Sequence, residues 1–309
     1  RSNLESNELY DAVRGVTKSI KSDTTGAEST QSTALTSFDS DGFTLGNDFE
    51  VNASGRTFAS WNWKANGQGS SNTDGSINTT YTSANTTSGF SIVSYTGTGS
   101  ASTIGHGLGS VPKMIIVKRR TTSGGSWVVY NANLSTGASS YMYLQSTNAE
   151  GNNYTPYWNA TNPTSSVFSI GTNAEVNNSG DTFIAYCFAE KTGYSKFGSY
   201  VGNGSSDGSF CYLGFKPAFL LSKMSSGTQG WFLVDNKRAN PYNPIDGSLH
   251  PNSNAAEDTA SDFFVDFTSN GFKLRDNDAQ LNGSGSTYIY MAFAEAPLVG
   301  SNNVPCTAR

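Results

Sequence analysis

The side chains best suited to chemistry in this sequence are aromatic residues that gather between positions 141 and 158. They are Tyr141, Tyr143, Tyr154, Tyr157 and Trp158. Sugar rings stack on such amphipathic rings, and nearby asparagine and hydroxyl side chains can bond the sugar hydroxyls. Residues 151–159 have the composition of a loop, and loops on a rigid scaffold commonly carry binding residues. The cluster therefore favours a buried tyrosine corner or a subunit contact, and a glycan-binding platform formed by these five residues is the functional alternative.

Carboxylates and histidines give weaker signals for catalysis. Glu28, Glu150 and Glu257 occupy equivalent places in a repeated pattern, which favours a structural contact over an active site. His106 and His250 have no partner at the spacing of metal ligands. A glycan-cleaving enzyme would need two carboxylates that converge in one groove, and no pair in the sequence points to that arrangement. We therefore expect a non-enzymatic protein with no catalytic residue, no metal and no cofactor.

The aromatic loop belongs to a chain that repeats itself. One module, two strands joined by a turn, occurs at residues 42–65, 167–190 and 271–295. The segments that precede the last two copies, 90–130 and 194–234, also align with each other. The repeat length of about 105 residues suits a domain with its own core. The chain thus holds two and a half repeats.

The repeats predict the domain boundaries. The predicted parts are a half-repeat with an amino-terminal helix (1–65), a flexible linker rich in Gly, Ser, Thr and Asn (66–88), a second repeat (89–192), a third repeat (193–297) and a carboxyl-terminal tail (298–309). A half-repeat at the start favours a chain that continues upstream of Arg1. The alternative is a half-repeat that docks on another subunit.

Composition and alternation predict the fold class. Ser, Thr, Asn and Gly make up 140 of 309 residues, and only 14% of residues are charged, which suits short strands joined by tight turns. Residues 182–188 place apolar side chains on both faces of one strand, as expected for a central strand covered by a second sheet or a neighbouring subunit. Pro112 and Pro217 stand where strands begin. We predict an all-β fold of tandem antiparallel, jelly-roll-like β-sandwich domains.

One short helix is predicted at the amino end. Leu9, Val13, Val16 and Ile20 fall on one face of a helix. This helix would pack on the half-repeat, or it would serve as a trimerising or attaching stem.

Charge and hydropathy exclude several functions. The net charge is −5 and the 19 Lys and Arg residues are dispersed, so nucleic acid is not an expected partner. The sequence has no apolar run long enough for membrane insertion. Cys187, Cys211 and Cys306 have no metal-binding spacing and are expected to be free thiols.

Several runs carry a resemblance to a known kind of protein. Residues 112–120, 178–190, 193–200 and 271–274 resemble an uncharacterised repeat domain of tail-fibre or host-recognition proteins from marine and cyanobacterial tailed phages. Residues 11–15 and 61–65 resemble the amino-proximal half of that domain. The resemblance transfers no catalytic motif. It implies an extracellular virion location, other virion proteins as partners, and a homo-oligomer, with the trimer common among fibres.

The resulting functional prediction has two forms. In the first, the chain is a tail-fibre or receptor-binding component that contacts host-surface polysaccharide through the aromatic cluster, and alanine at Tyr157 and Trp158 abolishes binding. In the second, it is a purely structural fibre shaft or capsid decoration protein without glycan affinity.

Overall fold

A computed structural model describes residues 4–238, 242–259 and 263–295 of the chain. The chain divides into two units, which are described separately. Unit 1 comprises residues 1–145 and 151–189, and unit 2 comprises residues 146–150 and 190–309. Nearly all regular structure in both units is β-strand, and all pairings between the named strands are antiparallel. The all-β prediction is confirmed.

The half-repeat forms the first part of unit 1. Its elements are β1 (Glu8–Leu9), β2 (Lys18–Lys21), β3 (Ser29–Thr30), β4 (Leu35–Phe38), β5 (Phe43–Leu45) and the helical turn α1 (Phe49–Asn52). β1, β2 and β3 make one small sheet, and β4 pairs with β5 in another. Asp48 caps α1 by accepting a hydrogen bond from the amide of Glu50.

The rest of unit 1 places a six-stranded sheet against a two-stranded one. Its elements are β6 (Tyr81–Asn85), β7 (Phe90–Thr96), β8 (Ser102–Gly105), β9 (Pro112–Arg119), β10 (Trp127–Asn131), β11 (Met142–Tyr143), β12 (Val167–Ile170), the helical turn α2 (Ala174–Asn177) and β13 (Thr182–Ala189). The large sheet has the order β11-β10-β9-β13-β7-β6, and β12 pairs with β8. Ile104 and Phe168 of the small sheet pack in one core with Val93 and Phe183 of the large one.

Unit 2 repeats this plan with the third repeat. Its elements are β14 (Ser195–Val201), β15 (Phe210–Tyr212), β16 (Pro217–Met224), β17 (Trp231–Asp235), β18 (Val265–Thr268), β19 (Gly271–Leu274), the helical turn α3 (Ala279–Asn282) and β20 (Thr287–Ala294). One sheet has the order β14-β20-β16-β17 and the other β15-β19-β18. Pro112 and Pro217 begin β9 and β16, as predicted.

The predicted amino-terminal helix is wrong. β1 and β2 pair as a hairpin across residues 8–21 instead. The side chain of Asp11 accepts hydrogen bonds from the amides of Val13 and Arg14, which makes a tight turn. Gly15 follows with φ of 102°, a conformation that suits glycine and ends any helical path. Turn-forming residues thus override the helical spacing of the apolar ones.

The predicted flexible linker at residues 66–88 is also wrong. β6 lies within it and pairs with β7 at the edge of the large sheet. Ile77 belongs to the core, and Ser83 is completely buried. A Cβ atom on Gly69 would lie 2.2 Å from the carbonyl oxygen of Thr82, so the small residues permit close backbone approach. The segment is therefore packed on the large sheet and contributes its edge strand.

Both faces of β13 are covered, as the alternation of residues 182–188 predicted. The half-repeat covers the face opposite the core. The hydroxyl of Tyr186 donates to Asp11 over 2.7 Å, and Trp63 packs edge-on against Phe188 with ring centroids 6.1 Å apart. Because the half-repeat already covers this apolar face of β13, the face does not need a neighbouring subunit to bury it and gives no reason to expect a trimer.

The cysteines that the structure describes are buried free thiols. They are Cys187 in β13 and Cys211 in β15, as predicted. Burial raises the pKa of each thiol to about 12, so both stay protonated and unreactive at neutral pH. Cys306 and the predicted tail at residues 298–309 lie outside the described residues.

Candidate functional site

The five predicted aromatic residues do come together in unit 1. Tyr141 directly precedes β11 and Tyr143 is its last residue, and the other three lie on the loop that runs from residue 151 to β12. Tyr141 is the hub, with ring centroids 5.2 Å from Tyr143, 5.5 Å from Tyr154 and 4.6 Å from Tyr157. The tilted and edge-on contacts are those that aromatic rings prefer. The loop is held by two hydrogen bonds between the backbones of Tyr141 and Gly151.

Burial separates the cluster into two groups. Tyr157 and Trp158 are each only 2% exposed and belong to the core of unit 1. Trp158 packs edge-on against Tyr130, with centroids 5.9 Å apart. Neither ring can offer a face to a sugar, so the prediction that these two residues form the platform is wrong. Tyr154, which is 36% exposed, and the partly buried Tyr141 and Tyr143 remain at the surface.

The hydroxyl groups of the cluster are tied into the unit. Tyr157 donates a hydrogen bond to Glu175 of α2, and its hydroxyl also lies 2.7 Å from that of Tyr143. Glu175 in turn accepts from the amide of Ser126 over 3.0 Å. Burial raises the pKa of Tyr143 to about 12 and that of Tyr157 further. At neutral pH these phenols are protonated hydrogen-bonding groups and not bases.

The loop that carries Tyr154 has an unusual backbone. Among the described residues, the non-glycine positions with positive φ are Asn153, Asn159 and Ala160, at 54°, 51° and 48°. Left-handed backbone costs energy for residues with a Cβ atom, above all for Ala160, and such strain concentrates at functional sites. Tyr154 is fixed by its neighbours, since its hydroxyl accepts a 2.8 Å hydrogen bond from the side chain of Asn173. The surface group of Tyr141, Tyr143 and Tyr154, called the tyrosine patch below, is thus preorganised.

A network of buried charges lies between the half-repeat and the large sheet of unit 1. The side chain of Arg14 is completely buried and donates to Asp11, to the carbonyl oxygens of Leu9 and Lys18, and to Glu28. Glu28 also receives two hydrogen bonds from Arg120, of 2.8 and 3.1 Å. The prediction that Glu28 makes a structural contact fits this geometry.

The third repeat contains a matching network in unit 2. Arg238 donates to Asp235 over 2.6 Å, to Glu257 over 2.9 Å and to the carbonyl oxygens of Leu233 and Gly247. The spacing Asp-x-x-Arg is the same at residues 11–14 and 235–238. The repeated Asp-x-x-Arg spacing could have predicted the two buried networks. It gave no prediction because an Asp and an Arg three residues apart are common on any protein surface.

Glu8 sits in a second buried cluster of the half-repeat. Its carboxylate accepts hydrogen bonds from Ser19 and Tyr10 and lies 3.4 Å from the ammonium group of Lys21. Lys21 also pairs with Glu50. Burial raises the pKa of Glu8 to about 7, and the nearby Glu50 adds to this increase while Lys21 opposes it.

This cluster predicts a pH-dependent stability. The folded state holds the Glu8 proton more tightly than the unfolded state, so the contribution is complete below pH 4.5 and is lost as the pH rises through 7. We expect Glu8→Gln to raise the free energy of unfolding at pH 8 by roughly 1–3 kcal/mol. Urea unfolding at pH 4 and pH 8 measures this effect. Native protein and variant should agree at pH 4, and equal stability at pH 8 would contradict the assignment.

Unit 2 contains a surface cavity that the sequence did not suggest. Its volume is about 200 Å³, and it is lined by Lys216, Asn236, Tyr242, Asn243, Ile245 and Phe267. Lys216 and the side-chain amide of Asn236 both contact Glu295 at 2.8 Å. The residues come from separate loops and strands, which explains why no local pattern marks them. Among the described residues, no group of three or more His, Cys, Asp or Glu is placed to hold a metal ion.

The two units define an all-β protein built from facing antiparallel sheets, with a tyrosine patch on unit 1. The chain belongs to the family described as Domain of unknown function (DUF7483), whose model matches residues 1–297. The matched range contains the half-repeat and both full repeats. No curated protein and no solved structure matches the chain. Across the described ranges, no helix has the length and apolar character needed to cross a bilayer.

Proposed function

We propose that the chain is a non-enzymatic structural protein of a tailed-phage virion, a tail-fibre or receptor-binding component that contacts glycan on the host surface. The extracellular virion location rests on the sequence resemblance to phage host-recognition repeats. The tyrosine patch is the observation that carries the binding role. Its three rings lie at the surface of unit 1, with Tyr141 and Tyr143 at β11 and Tyr154 on the neighbouring loop, whose strained backbone is held by hydrogen bonds.

The patch suits a weak saccharide contact. Tyr154 exposes part of its ring, and the amides of Asn152 and Asn153 beside it are exposed as well. An aromatic ring next to amide groups can stack on a sugar and bond its hydroxyls without any change in the loop.

A purely structural role, as fibre shaft or capsid decoration, is the second candidate. Its support is the burial of Tyr157 and Trp158 and the bonding of the Tyr143 and Tyr157 hydroxyls within the unit. In this form of the proposal the whole aromatic cluster stabilises unit 1. Other virion proteins, or copies of the same chain in a trimer, would then be its partners.

Binding to an array of bacterial envelope polysaccharides separates the two candidates. We expect saturable binding that Tyr154→Ala weakens about tenfold, the loss of one stacking contact. Tyr212→Ala is the matched control, because Tyr212 is 66% exposed and lies in unit 2. No binding by a folded chain would favour the structural role. Light scattering on the same sample would reveal a trimer as three times the 32.8 kDa of one chain.

A further inference from the structure

The surface cavity of unit 2 has walls suited to one small charged ligand. Ile245 and Phe267 form an apolar wall, and each is at most 3% exposed. Among the described residues that line the cavity, Lys216 is the only charged one. The volume of about 200 Å³ is below the roughly 300–1,000 Å³ of pockets for drug-sized ligands, so the cavity suits a single ring.

Two of the lining residues distinguish the third repeat from the second. Lys216 and Asn236 align with Val111 and Ala132, which have no polar side-chain group. Lys216 and Val111 each precede the proline that begins a strand, β16 or β9. Asn236 and Ala132 each follow directly on the next strand, β17 or β10. The third repeat therefore adds an ammonium group and an amide at one place on a shared scaffold.

Glu295 holds both of these groups in place. Its carboxylate accepts a 2.8 Å hydrogen bond from the side-chain amide of Asn236 and pairs with Lys216 at 2.8 Å. Lys237 also lies 3.8 Å from the same carboxylate. Two ammonium groups thus share one negative charge, and the remaining positive charge favours an anionic ligand.

The side chain of Asn236 also has one unsatisfied polar atom. Asn236 is only 6% exposed, and the bond to Glu295 fixes the orientation of its amide. The amide oxygen is buried and has no hydrogen-bond partner among the described residues. A buried acceptor without a donor costs free energy, and a hydroxyl group of a ligand would remove that cost.

We propose that this cavity binds one sugar unit that carries a carboxylate, as in an acidic polysaccharide. The carboxylate pairs with Lys216, a ring hydroxyl donates to the amide oxygen of Asn236, and the apolar face of the ring stacks on Tyr242. Tyr242 lines the cavity and is 78% exposed, so its side chain is largely accessible. The inference goes beyond the proposed function, because it needs neither the tyrosine patch nor a virion location.

Saturation-transfer NMR of the full chain with D-glucuronate tests the proposal. We expect a dissociation constant of about 1 mM at low salt, and weaker binding when sodium chloride is added. D-glucose is the matched probe, because it has the same ring without the carboxylate, and it should bind at least tenfold more weakly. Absence of glucuronate binding to a folded chain, or equal binding of the two sugars, would overturn the proposal. Displacement of glucuronate by an equal concentration of inorganic phosphate would show a general anion site and overturn the sugar class.

Variants of the full chain locate the site. Lys216→Val and Asn236→Ala introduce the residues that the second repeat carries at these positions, so we expect both to fold and to weaken glucuronate at least tenfold. Lys196→Val is the matched control, because Lys196 pairs with Glu190 at 3.0 Å and its side chain is 39% exposed, against 43% for Lys216. Equal loss in Lys196→Val would contradict the assignment.

The stacking contact has its own pair of variants. Tyr242→Ala should weaken glucuronate about tenfold, whereas Tyr212→Ala, which removes another exposed tyrosine of unit 2, should not. Equal effects of the two would exclude Tyr242 from the site. Since the probe is a single sugar and all of these variants lie in unit 2, a negative result here would leave the polysaccharide test of the tyrosine patch undecided.

Discussion

Replacing Arg14 by leucine is expected to lower the free energy of unfolding of unit 1 by about 3–5 kcal/mol, the cost of removing one member of a buried ion pair. The guanidinium group is fully buried and satisfies two carboxylates and two carbonyl oxygens at once. Without it, Asp11 stays buried beside Tyr186 with no positive charge to balance it. Urea unfolding followed by tryptophan fluorescence measures the loss, since four of the five tryptophans lie in unit 1.

Arg56→Leu is the control for this experiment. Arg56 pairs with Glu5 over 2.6 Å, but its side chain is 29% exposed, so we expect a loss below about 1 kcal/mol. A loss of the same small size for Arg14→Leu would show that the buried network contributes little to stability.

The second repeat shows which second substitution should compensate for the loss of Arg14. Its positions equivalent to Asp11 and Arg14 are Asn131 and the buried Leu134. The turn is preserved there, because Asn131 accepts a 2.9 Å hydrogen bond from the amide of Asn133. We expect the double variant Asp11→Asn/Arg14→Leu to be more stable than Arg14→Leu by at least about 1 kcal/mol, since an uncharged pair costs less to bury.

Sequence reasoning succeeded where the signal is local and periodic. The alternation of residues 182–188 specified a strand covered on both faces, and the two prolines located strand starts. It failed at residues 9–20, where apolar residues at helical spacing coincide with an Asx turn and with Gly15. Periodicity cannot rank these competing local preferences. It also cannot reveal that the polar segment 66–88 contains the edge strand β6 and packs against the large sheet.

The candidate site shows the same division. The sequence placed five aromatic residues in one region, and the structure brings the four tyrosines into ring contact with one another while Trp158 packs on Tyr130. The sequence could not predict which of these side chains are buried. Tyr154 and Tyr157 are only three residues apart in one loop, and yet they differ sharply in exposure. Exposure depends on how the loop folds over the core, which Asn159 and Ala160 direct through their left-handed backbone. The Arg14 network, spread over residues 9–120, lay beyond any local pattern.

The burial of Trp158 changes what mutation can show about binding. Trp158→Ala is expected to destabilise unit 1 by about 3–5 kcal/mol, because it removes a large core side chain and leaves a cavity against Tyr130. Trp158→Phe should cost much less, since the indole nitrogen of Trp158 has no hydrogen-bond partner among the described residues and none would be lost. Thermal unfolding of the two variants measures the difference.

Tyr154→Ala completes this comparison. Because Tyr154 is partly exposed and outside the core, its loss should cost roughly 1 kcal/mol, so the variant stays folded at temperatures where Trp158→Ala has begun to unfold. Loss of glycan binding in a Tyr157 or Trp158 alanine variant would then report unfolding of the loop, whereas loss in Tyr154→Ala would report a removed contact. If instead Trp158→Ala proved as stable as Tyr154→Ala, the tryptophan would not belong to the core, and the platform of five aromatic residues would return as the better description of the site.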